Sequence, residues 1–428
     1  MENYYSVFDK IIGYESVKKT LMPICDMFRN PEKYKKLGVI MPSGALLQGE
    51  PGFGKTLMAK CFIEACGVQY FTCRKDKSDG EFLNYMKKCF EDAETCAPAI
   101  VFLDDMDKFA NEDQDHKNAE EYVAVQACID SVKGKNVFVI ATTNELNNLP
   151  NSLLRAGRFD IKLTMNGLGK EDQIKLIAHF LKDKPVDTDF NCENIWHILG
   201  GDTSCAELEK IINDAALKIA FENKSTITHQ DIVEACLKHH FGVVSSLDKE
   251  VTEKDKIVAY HEAGHTVVTE ILDPGRVGLV SIQAYKEGDN SGVTSYISRE
   301  MGEYISFKIR ENNILADLGG RAATEIVYGT KDMGSGGDIN NAKRKVRILR
   351  DDYYVYGFTE FDHWNASEES KARADRVVET ELNKLYEKAK EIISNNREFL
   401  DALANALLEK KTIFSEDIKV IKQNLGLE

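Results

Sequence analysis

Residues 49–56 of this chain are Gly49-Glu50-Pro51-Gly52-Phe53-Gly54-Lys55-Thr56, which matches the pattern G-x-x-x-x-G-K-[ST]. The apolar run Ala45-Leu46-Leu47 precedes this stretch, and a helix is expected from Thr56 to Cys66. Glycines in such a turn let backbone N–H groups point at phosphate oxygens, and the helix N-terminus adds partial positive charge. Lys55 would reach the β and γ phosphates, and the Thr56 hydroxyl would bind Mg²⁺. The stretch therefore predicts a nucleotide-binding loop between a strand and a helix.

The segments around this loop alternate short apolar strands with helices. Ala99–Leu103 and Val137–Ala141 are two further apolar runs of strand length. Short apolar strands separated by helices form a parallel sheet that is covered on both faces. We therefore predict an α/β domain over residues 1–164 and, from the continuous helical pattern between Lys170 and Phe241, a helical region over residues 165–241.

Polar side chains follow two of these predicted strands. Asp104 ends one strand, where an acid that binds Mg²⁺ belongs, and Asp105 could polarise the attacking water. Asn144 follows the next strand and could orient that water or sense the γ-phosphate. Two acids at a strand end can also be a solvated loop or a helix N-cap, but the neighbouring phosphate loop favours the catalytic interpretation.

Two arginines, Arg155 and Arg158, follow in the segment Leu153–Asp160. Their spacing would let both reach outward, and an arginine from a neighbouring subunit stabilises charge in phosphoryl transfer. Taken alone the pair is a weak signal, because arginine pairs are common on protein surfaces.

The second informative motif is His261-Glu262-Ala263-Gly264-His265, which matches H-E-x-x-H. On a helix the two imidazoles lie on one face and can bind one Zn²⁺, while Glu262 can take a proton from a water on the metal. A catalytic zinc needs a third protein ligand. Asp338, after a glycine turn at the start of a predicted helix, and His363 are the candidates, although an acid at that place is also a common N-cap.

Composition limits the class of protein. The chain has 428 residues, a net charge of −15 and ten cysteines without a C-x-x-C pair. The length indicates two or three domains, the charge disfavours nucleic acid and anionic membranes, and the cysteines are typical of reduced thiols in the cytoplasm. The sequence has neither an apolar run of about 18 residues nor a signal peptide, so we expect no membrane segment.

The last part of the chain is predicted to be mainly helical. Residues 242–250 are polar and form a plausible linker before a domain over residues 251–428. Alternation and glycines between Val280 and Ile297 predict a small hairpin or edge strand. The segment Ser367–Asn395 has apolar residues at helical spacing, which predicts an amphipathic packing helix.

Together these motifs resemble the FtsH family, which joins an AAA+ ATPase to an M41-type zinc peptidase. The resemblance runs from Phe8 to Gly357 and includes the segments Thr142–Asn144, Leu154–Asp160, Gly319–Ala323 and Gly337-Asp338. It implies a P-loop AAA+ ATPase with a helical lid, followed by a mainly α-helical zinc peptidase. The implied cofactors are Zn²⁺, ATP and Mg²⁺, and the implied substrates are polypeptides.

The resemblance also assigns roles to single residues. It implies a homo-hexameric ring in which Arg155 and Arg158 act on the neighbouring subunit's nucleotide. It makes Asp338 the third zinc ligand and Glu325 a structural acid nearby. The strand at Gly292-Val293-Thr294 would be the edge along which a substrate peptide lies.

Three departures from the family pattern have consequences. Family members carry N-terminal transmembrane helices, whereas this chain starts at the ATPase. Asp105 stands where the family has glutamate, which predicts slower ATP hydrolysis. The family's aromatic-hydrophobic-glycine pore loop is replaced by the charged segment Thr72–Gly80, with Phe82 as the nearest aromatic, and this weakens the expectation of processive unfolding.

Two functions follow from the sequence. The first is an ATP-dependent zinc endopeptidase. The second is a nucleotide-gated assembly or adaptor protein with weak or uncoupled peptidase activity, which the charged segment Arg74–Asp79 and Asp105 motivate.

Overall fold

The computed structural model describes residues 4–76, 79–110, 119–155, 157–187, 190–199, 203–241, 251–286, 289–297, 304–330, 333–357 and 367–427. The chain forms two compact units, one of residues 1–182 and 201–210 and the other of residues 183–200 and 211–428. The predicted linker over residues 242–250 lies outside the described residues.

The first unit is a three-layer α/β structure. Its helices and strands are α1 (Glu15–Arg29), α2 (Pro31–Lys35), β1 (Gly44–Gln48), α3 (Lys55–Cys66), β2 (Gln69–Cys73), α4 (Asp79–Thr95), β3 (Ala99–Leu103), α5 (Ala119–Ser131), β4 (Val137–Thr143), β5 (Ile161–Thr164) and α6 (Lys170–Leu181). The strands lie in the order β2-β3-β4-β1-β5, and every pair is parallel. The predicted parallel sheet is confirmed.

The central strands β1, β3 and β4 are buried on both faces of the sheet. Successive side chains of a strand point to opposite faces, so each of these strands contributes to two clusters. On β1, Leu46 packs in a cluster that includes residues of α4 and α5, and Leu47 packs in a second cluster that includes residues of α1 and α3. Helices on both faces explain why the strands are nearly continuous apolar runs. The sheet places β1, and the loop after it, between β4 and β5.

The rest of the chain is mainly helical, as predicted. Its elements are α7 (Cys192–Leu199), α8 (Cys205–Phe221), α9 (His229–Phe241), α10 (Glu253–Leu272), β6 (Val277–Lys286), β7 (Asp289–Tyr296), α11 (Phe307–Tyr328), α12 (Gly336–Asp351), α13 (Glu368–Asn395), α14 (Arg397–Lys410), β8 (Thr412–Phe414) and α15 (Ser415–Asn424). The boundary between the two units passes through α8, and the second unit holds everything after it.

The second unit is organised around the close crossing of α10 and α11. A Cβ atom on Gly264 would lie 2.4 Å from the carbonyl oxygen of Gly319, and one on Gly319 would lie 2.6 Å from that of Gly264. Only glycine permits this approach, since the obstructing atoms are backbone. Thr252 caps α10 by accepting a hydrogen bond from the Asp255 amide, which fixes where the helix begins.

A small antiparallel sheet lies beside this helix pair. Its strands have the order β7-β6-β8, so β7 is an edge strand. The prediction of a hairpin between Val280 and Ile297 is confirmed, and so is the amphipathic helix α13, which begins after its cap Ser367. Among the described helices, none is both long and apolar enough to cross a bilayer.

Candidate functional site

Three side chains of the second unit converge on one point. The Nε2 atoms of His261 and His265 are 3.0 Å apart, and Asp338 Oδ2 lies 3.1 Å from the first and 3.6 Å from the second. The two histidines lie one turn apart on α10, while Asp338 comes from the first turn of α12. Two imidazole nitrogens and a carboxylate oxygen form the ligand type that zinc prefers.

The orientation of His265 is fixed by the backbone of α11. His265 is buried, and its Nδ1–H donates to the carbonyl oxygen of Ala316 over 2.7 Å. That hydrogen bond leaves the lone pair on Nε2, which is the atom that faces Asp338. Gly320 makes room for both rings, because a Cβ atom there would lie 2.6 Å from His265 Nε2 and 2.7 Å from His261 Nε2.

Asp338 occupies a helical position and is not the N-cap residue, which is Ser335. Burial raises the pKa of Asp338, but the adjacent imidazoles of His261 and His265 outweigh it and hold the pKa well below the usual range. The carboxylate is therefore charged at neutral pH. The other candidate ligand, His363, lies outside the described residues. Glu325 is not part of the cluster, since it pairs with Tyr386 and Lys390.

Glu262 is held against the edge strand β7. Its side chain is buried, and the Thr294 hydroxyl donates to Glu262 Oε2 over 2.7 Å. Gly292 on the same strand lies against this carboxylate, where a Cβ atom would come within 2.5 Å of Oε1. Thr294 and Gly292 were noticed in the sequence only as parts of a substrate-binding edge, and their contacts with Glu262 come from the structure.

The loop after β1 has the backbone that phosphate binding requires. Gly49, Gly52 and Gly54 all have positive φ angles, of 147°, 86° and 84°. Lys55 is buried and donates to the carbonyl oxygens of Gly49 and Glu50 over 2.6 and 2.7 Å. Burial lowers the pKa of Lys55, opposed by nearby acids that include Asp105. Pro51 and Phe53 complete the turn, with the Phe53 side chain buried.

Asp104 is in the position of a metal-binding acid. Its Oδ1 accepts hydrogen bonds from the Thr56 hydroxyl over 3.0 Å and from the Thr142 hydroxyl over 2.9 Å. The structure thus brings Thr56, which is predicted to bind Mg²⁺, together with the acid after β3. Asp105 has a positive φ of 54°, and its carboxylate lies 2.7 Å from Lys108 Nζ.

Sequence reasoning missed Asp107. Its Oδ1 accepts from the backbone N–H of Asn144 over 3.1 Å, and so ties the end of β4 to the turn after β3. Burial lowers the pKa of Lys55, and the nearby charge of Asp107 opposes that lowering. The signal that could have found it is the third acid of Asp104-Asp105-Met106-Asp107, which follows directly on the predicted Mg²⁺-binding acid.

The two arginines have different surroundings. Arg158 makes a two-pronged ion pair with Asp130, at 3.0 Å from Nε to Oδ1 and 2.7 Å from Nη2 to Oδ2. Hydrogen bonding in this pair raises the pKa of Arg158 and lowers that of Asp130. Arg155 is exposed.

The charged segment Thr72–Gly80, which replaces the family's pore loop, contains no aromatic residue, and residues 77 and 78 lie outside the described residues. Phe82 is fully buried against Phe109, with ring centroids 4.9 Å apart, so it belongs to the core. Lys75, within the segment, forms an ion pair of 2.9 Å with the buried Glu121.

Comparison with known proteins matches both halves of the chain. Residues 45–166 match the ATPase family associated with various cellular activities (AAA), and residues 249–421 match peptidase family M41. The chain is 30% identical to the ATP-dependent zinc metalloprotease FtsH of Streptococcus pneumoniae, over 97% of this chain and 67% of that protein. It is 31% identical to the protein of that name from Caldicellulosiruptor bescii, over 96% and 71%. It is 29% identical to the chloroplastic ATP-dependent zinc metalloprotease FTSH 5 of Arabidopsis thaliana, over 96% and 63%.

Proposed function

The chain belongs to the FtsH family of ATP-dependent zinc metalloproteases, and on this basis we propose which residues carry each activity and which substrates it degrades. It is an ATP-dependent zinc protease with Zn²⁺, ATP and Mg²⁺ as cofactors. The alternative, a nucleotide-gated assembly or adaptor protein with weak or uncoupled peptidase activity, is not favoured. The convergence of His261, His265 and Asp338 beside the buried Glu262 is the observation that carries this function.

The three proposed ligands fit a zinc ion. Bonds of about 2.0–2.1 Å in a tetrahedron set ligand atoms about 3.3–3.4 Å apart, and the distances here are 3.0, 3.1 and 3.6 Å. His261, His265 and Asp338 would leave the fourth position open. When bound, zinc lowers the pKa of a water and polarises the scissile carbonyl.

Glu262 is the proposed general base. Thr294 holds Oε2, which leaves Oε1 to take the proton of the attacking water and later deliver it to the leaving amine nitrogen. The substrate backbone would pair with the free side of β7 and so pass beside Glu262. This binding uses main-chain hydrogen bonds and therefore tolerates many sequences.

In the ATPase, we propose that Gly49 to Thr56 hold the phosphates and that Thr56 and Asp104 hold Mg²⁺. Asp105 would act on the attacking water, with Asn144 orienting it. The contacts of Thr142 and Asp107 support this arrangement, because they fix Asp104 and Asn144 at the end of adjacent strands. Asp105 is one methylene shorter than the family's glutamate, so turnover should be slow.

Membership of this AAA protease family suggests a ring-shaped oligomer. We propose a homo-hexamer in which Arg155 and Arg158 reach the nucleotide of the neighbouring subunit. Arg155 is exposed and available for this role. Arg158 would have to break its ion pair with Asp130 before it could reach a neighbouring nucleotide, so Arg155 is the stronger candidate.

We further propose that residues 1–164 form the ATPase core, 165–241 the lid, 242–250 a linker and 251–428 the peptidase. Ten free thiols support a reducing, cytoplasmic location.

The substrates we propose are unfolded polypeptides. The segment Thr72–Gly80, which stands in place of the family's aromatic pore loop, contains no aromatic residue, and Phe82 is buried in the core. Without an aromatic grip, ATP hydrolysis would move loose chains but pull weakly on stable domains.

The test compares casein with a stably folded protein that carries an unstructured tag, both with ATP and Zn²⁺. Loss of casein with survival of the folded domain supports the proposal. Degradation of both at similar rates would show that the ring unfolds its substrates, and the proposed substrate class would then be wrong. Sedimentation with a slowly hydrolysed ATP analogue tests the hexamer, which a purely monomeric distribution would exclude.

A further inference from the structure

Strand β6 of the second unit is interrupted by a bulge at Gly278. Val277 and Leu279 pair with consecutive residues of β7, so Gly278 is the extra residue that the bulge inserts between them. The bulge explains why Val277 and Val280, three residues apart, both pack in the core cluster that includes residues of α10. Strict alternation along the strand would have sent these two side chains to opposite faces.

The bulge lies against helix α7, which belongs to the proposed ATPase lid. A Cβ atom on Gly278 would lie 2.8 Å from the carbonyl oxygen of His197. The obstructing atom is backbone, so only glycine permits α7 to come this close. Leu279 is fully buried but does not belong to the cluster of Val277 and Val280, as expected for a side chain on the other face of the strand. Both α7 and α9 contact β6, so we infer that lid helices cover this second face.

Strand β6 is also the neighbour of the residue that holds the proposed general base. Val280, two residues after Gly278, lies opposite Thr294 in the ladder between β6 and β7. The Thr294 hydroxyl donates to Glu262 Oε2 over 2.7 Å. A continuous series of contacts therefore leads from the lid to the base, through the seat of α7 on β6, the pairing of β6 with β7 and the hydrogen bond to Glu262.

We propose that Gly278 is a positioning residue of the peptidase. It lets the lid helix α7 seat on β6, and this seat holds Thr294, and through it Glu262, in the geometry for proton transfer. The inference rests on the proposed function, since Glu262 is the proposed base of that reaction. It gives the lid a part in peptide cleavage in addition to nucleotide binding. The proposed zinc ligands come from α10 and α12, so the affinity for zinc should not depend on Gly278.

The first variant is Gly278→Ala in the full-length protein with Zn²⁺, ATP and Mg²⁺. Ordinary contact begins at about 3.4 Å, so the new methyl group must move α7 and β6 apart by about 0.6 Å. A shift of that size passed to β7 would take the 2.7 Å contact of Thr294 with Glu262 outside the usual range of about 2.5–3.0 Å.

The expected result is a fall of about tenfold in kcat for cleavage of an unstructured peptide, with zinc affinity and ATP hydrolysis at parent values. Gly336→Ala is the matched control, because a Cβ atom there meets no described atom within 4 Å. It should behave like the parent protein.

Thr294→Val shows whether Gly278 acts through the partner of Glu262. Once the hydroxyl is gone, a displaced β7 has no hydrogen bond to Glu262 left to weaken. Gly278→Ala should therefore lower kcat by about tenfold in the parent protein but by less than about twofold in the Thr294→Val protein. A glycine that served only the fold would lower kcat by the same factor in both backgrounds.

Leu279→Val is a milder change at the same contact, for the case in which Gly278→Ala does not fold. It removes one methylene from the lid-facing side of β6 and introduces a residue type that strands favour. It should lower kcat by about threefold in the parent protein and leave the kcat of the Thr294→Val protein unchanged.

The outcomes separate this inference from the proposed function. A parent-like kcat in a folded Gly278→Ala protein, or in Leu279→Val where the first variant does not fold, overturns the positioning role. An equal fall in kcat in the two backgrounds also overturns it and leaves the protease standing. Failure of the zinc-loaded parent protein to cut any peptide refutes the proposed protease, and the positioning role with it.

Discussion

Gly320 gives the sharpest test of the zinc site, because a single methyl group there meets two ligands. In Gly320→Ala the new Cβ would lie 2.6 Å from His265 Nε2 and 2.7 Å from His261 Nε2. Ordinary contact begins near 3.4 Å, so the rings must retreat by about 0.8 Å. Zinc distances tolerate changes of about 0.2 Å. We therefore expect the affinity for zinc to fall by at least tenfold to a hundredfold, as when an outer-shell partner is removed.

The assay for Gly320→Ala is competition for zinc between the protein and a chelating dye. Gly337→Ala is the matched control, since Gly337 neighbours Asp338 but a Cβ there meets no described atom within 4 Å. ATP hydrolysis and the melting transition report whether the protein is still folded, because overpacking costs about 1–3 kcal/mol. Parent-like zinc affinity in a folded Gly320→Ala protein would refute the placement of the metal between these histidines.

Three further predictions address the other parts of the protein. Thr294→Val removes the hydroxyl that donates to Glu262 Oε2 over 2.7 Å, so kcat for peptide cleavage should fall by about tenfold to a hundredfold with zinc content unchanged. A fall in kcat smaller than about twofold would contradict the role of Thr294 in holding Glu262. Asp105→Glu should raise the ATP turnover rate by about threefold or more, because it restores the family's reach to the attacking water, and a slower variant would count against Asp105 as the group that polarises water. Gly264→Ala places a Cβ atom 2.4 Å from the Gly319 carbonyl oxygen, so the free energy of unfolding of the second unit should fall by about 1–3 kcal/mol or more. The control Gly336→Ala has open space around its Cβ atom and should leave this free energy unchanged. Equal melting temperatures of the two variants would show that α10 and α11 can separate freely.

Much of the fold was predictable because short stretches of neighbouring residues determine each helix and strand. The run Ala99–Leu103 is apolar throughout since both faces of its strand are covered, and α13 shows its buried face at helical spacing. The start of α10 also has a local cause, because the Thr252 side chain caps the helix. In each case a few neighbouring residues contain the physical cause.

The parts that could not be predicted depend on contacts between distant segments. Asp338 lies far along the chain from His265, and spacing alone could not choose between Asp338 and His363. The contact of Thr294 with Glu262 exists because β7 lies against α10, and the role of Gly320 exists because α11 crosses the same helix. Such contacts follow from tertiary packing and leave no local pattern. The resemblance to the FtsH family supplied Asp338 in advance, but it supplied neither Thr294's contact nor Asp107.

The measurement that most directly tests the central claim is degradation of casein by the zinc-loaded protein with ATP, with ADP and without nucleotide, alongside Glu262→Gln. If the ATPase drives the peptidase, casein should be lost rapidly with ATP and not with ADP or without nucleotide. Glu262→Gln should cause no loss of casein but should still hydrolyse ATP. Cleavage by Glu262→Gln would contradict the role of Glu262, and equal cleavage in all three nucleotide conditions would contradict the coupling.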